Sequence, residues 1–133
     1  MNSTFAASGL GASNPGPGPR LMTANTLEGD EVINTQGDKL GKISDIMLDV
    51  PSGRVAYAVM ASGGFLGIGD KLFAVPWNAL TLDPVRECFV LDADKSRFEH
   101  APGFDKDHWP SSADFDGLGR EIHSYWGTPA YWE

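Results

Sequence analysis

Residues 63–77 are where nucleotide chemistry would be sought first. Four glycines fall within seven positions, at Gly63, Gly64, Gly67 and Gly69, and Gly64 and Gly69 satisfy a G-x-x-x-x-G spacing. A phosphate-binding loop then needs Lys, with Ser or Thr behind it, to meet the phosphates and their magnesium ion. Here Asp70 follows, and its carboxylate would repel phosphate. Lys71 comes one place late and is followed by Leu72. The segment after the loop reads as a strand, so no helix N-terminus waits for an anion. The remaining chemistry-bearing types are dispersed. His100, His108 and His123 do not stand at metal-ligand spacing. Asp105, Asp107 and His108 lack the Gly-punctuated ladder and distal Glu of a calcium loop. Asp45 and Asp49 lie on one strand face but about 13 Å apart at strand rise. No serine sits in a nucleophile-elbow context and no Cys–His pair is suggested. These residues point to no enzyme, no metal site and no cofactor.

The composition narrows the partners. Ten Lys and Arg stand against 18 Asp and Glu, a formal net charge of -8. Affinity for nucleic acid comes largely from neutralising phosphates, so no nucleic acid is expected, and the ten cations form no block. Cys88 is the sole cysteine, which excludes an intrachain disulfide and a thiolate-rich metal site. Set between Glu87 and Phe89, it reads as a buried, inert thiol. No run approaches the ~20 apolar residues of a membrane span and no secretory signal opens the chain. No membrane insertion is expected, and the cytoplasm is the default location.

The elements that would position any site are mostly short strands. Residues 1–20 are rich in Gly, Ser, Ala and Pro and read as a flexible arm, with too little apolar surface to offset chain entropy. Residues 31–34 form a first candidate strand, and Gln36-Gly37-Asp38 a turn with Gly37 at a positive φ. A longer strand spans 40–50, with Ile46, Leu48 and Val50 on one face and Asp45, Met47 and Asp49 on the other. Ile43 is out of phase with that face, so a bulge is expected near Ser44. Pro51-Ser52-Gly53 closes a hairpin, Gly53 taking the left-handed position. Residues 54–62 are apolar on both faces, as in a central covered strand. Residues 71–75 form another strand ended by Pro76, followed by one helical turn at 77–80. Residues 81–83 and 87–91 pair as a last hairpin, and Asp94 is placed to cap a short helix over 95–100. Phe115, Leu118, Ile122, Tyr125 and Trp126 fall near helical spacing. A weak helix over 114–126 is therefore expected, burdened by Gly117 and Gly119. The aromatic end, 125–133, reads as packing back onto the barrel or onto a neighbouring subunit.

Three runs in order carry a family resemblance: 34–46 (NTQGDKLGKISDI), 53–59 (GRVAYAV) and 64–71 (GFLGIGDK). Together they resemble the PRC-barrel family, named for the cytoplasmic domain of the photosynthetic reaction centre H subunit. The run 101–106 is similar to its soluble bacterial members. The resemblance covers about residues 27–110 and implies a mainly all-β chain, a small, strongly bent antiparallel β-barrel with a short helix after its last strand. The expected organisation is an arm (1–20), the barrel domain (21–110) and an aromatic tail (111–133). Family members are generally interaction modules, and this chain looks like a free-standing one. It shows neither the membrane helix of the reaction-centre branch nor the second β domain of the ribosome-maturation branch.

The leading reading is therefore a non-enzymatic interaction or assembly module that self-associates, as a homodimer or larger, or meets an unidentified protein partner. Phe65, Leu66 and Ile68 of the glycine loop, with Trp126, Tyr131 and Trp132 of the tail, are the expected contacts. Gly37, Gly53, Gly64, Gly67 and Gly69 serve as structural turns. A small-ligand or pigment-binding barrel is the first alternative, although small barrels usually fill their interiors with side chains. A ribosome-maturation-like adaptor is the second.

Overall fold

Alternating apolar residues and well-placed turns build a single curled sheet. The computed structural model describes residues 21–62 and 71–132. Its strands are β1 (Glu31–Ile33), β2 (Lys39–Asp49), β3 (Arg54–Ala61), β4 (Lys71–Val75), β5 (Leu80–Asp83), β6 (Cys88–Leu91) and β7 (Gly103–Asp105), with helices α1 (Ala24–Leu27) and α2 (Phe115–Trp126). The sheet order is β5-β6-β1-β2-β3-β4-β7. Neighbours run antiparallel except β1 and β6, which pair in parallel. The sheet curls in the manner of a barrel without closing, leaving β5 and β7 as edges. Gly37 and Gly53 take the expected left-handed φ, at 88° and 73°.

Strand β2 carries two register shifts, between Ile43 and Asp45 and between Met47 and Leu48. The first is the bulge expected near Ser44. It returns Ile43 and Ile46 to one core despite their odd spacing. The second was not legible in the sequence and divides the face on which Ile46, Leu48 and Val50 were expected to alternate. Beyond it Leu48 is 60% exposed and Val50 81%, while Met47 packs against a different cluster.

Strand β3 is covered on both sides, every residue from Ala56 to Met60 being buried. Successive side chains point to opposite faces, and two cores result. The first gathers Leu40, Ile43, Ala58, Met60, Phe73, Val75 and Phe98. The second takes Tyr57 and Val59 of β3, Ala74 of β4 and Ile122 of α2. Helix α2 thus supplies the cover for the second core, and this burial offsets the cost of two helical glycines. It ends at Gly127, whose φ of 69° stops the helix, and Thr128 N–H donates to the carbonyl of His123 at 3.0 Å.

The short helix after β6 is present, with local differences, and two elements are added. The segment after β6 is a 3-10 helix over Lys95–Glu99, and Asp94 at its N-cap makes no side-chain capping bond. Residues 103–105 form β7, a strand the sequence reading did not include: Lys71 pairs with Asp105, and Ala74 N–H donates to the carbonyl of Pro102 at 3.0 Å. Helix α1, a single turn before β1, had no periodic signal in four residues.

Candidate functional site

The end of the β2–β3 hairpin and the start of α2 enclose a groove of about 340 Å³. The second register shift in β2 brings Met47, Leu48 and Val50 along one wall. Phe115 and Leu118, one turn apart on α2, line the other, with Pro110, Ser111 and Ser112 at one end. The approach to α2 is held by Asp114, whose carboxylate accepts from the backbone N–H of Ser111 at 2.9 Å and from its hydroxyl at 3.0 Å. These two bonds hold the Asp114 carboxyl below the usual range.

Tyr57 lies between the walls. Only 3% exposed, it stacks on Phe115 with ring centroids 6.3 Å apart and contributes to the groove lining. Burial pushes its phenol pKa up. Asp49 also lines the groove; a hydrogen bond from the Tyr131 hydroxyl, then others from Ser52, hold its carboxyl down. The groove therefore combines apolar walls, one buried phenol and one ionised carboxylate.

The tail residues expected to make contacts are engaged with their own chain. Trp126 is half-buried beside Phe98, centroids 5.4 Å apart, with the Arg97 guanidinium 5.2 Å above its ring. Its indole Nε1 is buried without a hydrogen-bond partner among the described residues. Tyr131 donates its hydroxyl to Asp49 and accepts, through its backbone carbonyl, a bond from Arg54. Trp132 stands edge-on to Phe115 and His123, at 6.1 and 5.4 Å, and keeps 43% of its surface exposed. Phe115 thus joins Tyr57 on one side to Tyr131 and Trp132 on the other. Phe65, Leu66, Ile68, Gly64, Gly67 and Gly69, like the arm over 1–20, lie outside the described residues.

Other polar groups build less. His108 and Asp105 approach at 3.9 Å on the open surface. Among the described residues no three His, Cys, Asp or Glu side chains are grouped to hold a metal ion, and no helix is long and apolar enough to cross a membrane. Cys88 is buried, and burial raises its thiol pKa. Sequence reasoning missed Tyr57, Leu48, Val50 and Phe115 as a group because the β2 shift that aligns them has no residue signature. The Ser111-x-x-Asp114 spacing ahead of an apolar run was the available sign of an anchored helix start.

The family model of the PRC-barrel domain matches residues 19–98. With the bent sheet and the order of its strands, this places the chain in the PRC-barrel domain family. No curated protein is matched.

Proposed function

We propose that this chain is a non-enzymatic, cytoplasmic interaction module that self-associates, as a homodimer or a larger assembly. The observation that carries the reading is the apolar strip left at the β2–β3 hairpin, where Leu48 and Val50 stay largely in water. Neither residue completes the chain's own core, and exposed apolar surface of this kind marks interaction sites. Trp132 adds a partly exposed indole on the tail. The family match supports the absence of catalysis, since such domains generally act as modules. The module comprises the barrel domain over 21–110 with the tail, 111–133, folded against it, and the glycine loop bearing Phe65, Leu66 and Ile68 is the second contact surface. Native mass spectrometry of the full-length chain tests the reading. A dimer or larger species that Val50→Asp or Ile68→Asp converts to monomer supports it, and a monomer at every concentration rejects it.

A further inference from the structure

We propose that the groove between the β2–β3 hairpin and α2 is a binding site for a compact, uncharged molecule with an apolar body and one neutral hydrogen-bond acceptor, which the Tyr57 hydroxyl receives. The first observation is the state of that hydroxyl. Tyr57 as a whole is 3% exposed and its ring stacks on that of Phe115, while its hydroxyl makes no hydrogen bond with any described residue. The hydroxyl itself is not sealed from solvent, since the buried side-chain polar atoms without a partner are those of Ser44 and Trp126 among the described residues. Tyr57 lines a groove with room for a ligand, where its hydroxyl can donate.

The second observation is the groove itself. Its volume, about 340 Å³, falls at the lower end of the roughly 300–1,000 Å³ range of small-molecule clefts, and its lining is mixed, apolar side chains with Asp49, Tyr57, Ser111 and Ser112 among them. Met47, Leu48, Val50, Phe115 and Leu118 supply the apolar part. The first core, by contrast, is filled by Leu40, Met60, Phe73 and Phe98, all fully buried. A ligand therefore has its space beside the second cluster, not in the first.

Electrostatics select the kind of acceptor. Asp49 lines the same groove as a carboxylate, Asp114 stands beside it on the surface, and the chain carries a net charge of -8. An anionic acceptor would be repelled, whereas a ketone, ester or amide oxygen would not. Tyr57 stays protonated through the neutral range and is a constant donor. The inference does not rest on self-association, but Leu48 and Val50 belong both to this groove and to the proposed contact strip, so a second copy seated there competes with the ligand.

The test is a titration of the 15N-labelled full chain with three probes of similar shape, acetophenone, ethylbenzene and benzoate, followed at the amides of Ala56, Tyr57, Phe115 and Leu118. Acetophenone should give saturable shifts at these amides. Ethylbenzene, which lacks the acceptor, should bind about fivefold more weakly, the loss typical of one hydrogen bond, and benzoate more weakly again. Tyr57→Phe should bind acetophenone and ethylbenzene alike, and Leu118→Trp, which fills the groove from the half-exposed face of α2, should bind neither. The proposal is overturned if no neutral probe gives saturable shifts at these amides, if benzoate binds best, or if Tyr57→Phe or Leu118→Trp leaves the pattern unchanged.

Discussion

The Tyr131 hydroxyl donates to the Asp49 carboxylate at 2.6 Å, joining positions 82 residues apart in the chain. The bond fastens the aromatic tail to the far end of β2, where the sheet runs out into the hairpin. It holds the Asp49 carboxyl below its usual range. Burial first, and then this bond, push the Tyr131 phenol up to about 12. Asp49 therefore supports docking of the tail fully above the ordinary carboxylate pKa of about 4, and that support is lost as pH falls through the lower folded value. Tyr131 supports it up to the ordinary phenol pKa of about 10, with loss as pH rises through about 12. Tyr131→Phe should weaken the acid dependence, leaving the parts of the Asp49 shift due to Ser52 and Arg54, and expose the neighbouring Trp132. Acrylamide quenching across pH 2–7 checks this, and identical profiles for the two proteins would refute the latch.

The two glycines of α2 should respond differently to alanine. A Cβ on Gly117 would meet nothing within 4 Å, whereas one on Gly119 would lie 3.1 Å from the Trp132 ring and 3.2 Å from that of Phe115. Gly117→Ala should thus stabilise the chain by about 1 kcal/mol, the ordinary helix-propensity gain. Gly119→Ala should stabilise less or not at all, because part of the gain goes into shifting the Trp132 ring. Urea unfolding of both variants measures the difference, and equal gains would show that the Trp132 ring yields without cost.

Phe98 joins the first core to the tail helix. It is fully buried, edge-on to Phe73 at 5.1 Å and tilted against Trp126 at 5.4 Å. Phe98→Ala should cost about 3–5 kcal/mol, as cavity-forming changes of this size do. Trp126 should lose its anchored environment at the same time. A loss under 1 kcal/mol by denaturant unfolding, with an unchanged Trp126 signal, would mean that the tail helix docks independently of this ring.

The sequence made the sheet readable because its signals are local. Gly37 and Gly53 mark turns that need a left-handed residue, and the double apolar alternation of β3 marks a strand covered on both faces. Even the bulge beside Ser44 was legible, because Ile43 and Ile46 break a two-residue period. The groove was not readable, since it depends on pairing between distant segments. The shift at Met47 and Leu48 is set by how β2 meets β3, and Leu48 and Val50 look like core residues when only their alternation is seen. Strand β7 is similarly hidden: three residues after a proline become a strand only because β4 offers an edge. Asp94 shows the reverse case, a good capping residue whose side chain is not used for capping.

Asp30 yields a dependence on pH of the opposite sign to that of Asp49. Half-buried ahead of β1, its carboxyl is raised to about 6, by burial first and then by the nearby charge of Glu87. Below about pH 4 the group is protonated in both folded and unfolded chains and affects stability little. Between about pH 4 and 6 the unfolded chain ionises while the folded one keeps its proton, so stability falls as pH rises, and the loss is complete above the folded value. Asp30→Asn preserves size and removes the charge. The variant should match its parent near pH 4 and exceed it above pH 6 by about 1 kcal/mol, a figure reduced for the solvent screening of a half-exposed group. In a chain of this length that corresponds to a midpoint about 3–5 °C higher. Calorimetry at pH 4, 5, 6 and 7.5 follows the divergence. Parallel curves across that range would show that Asp30 titrates normally, and a variant less stable at pH 7.5 would show that its ionised form is favoured by the fold.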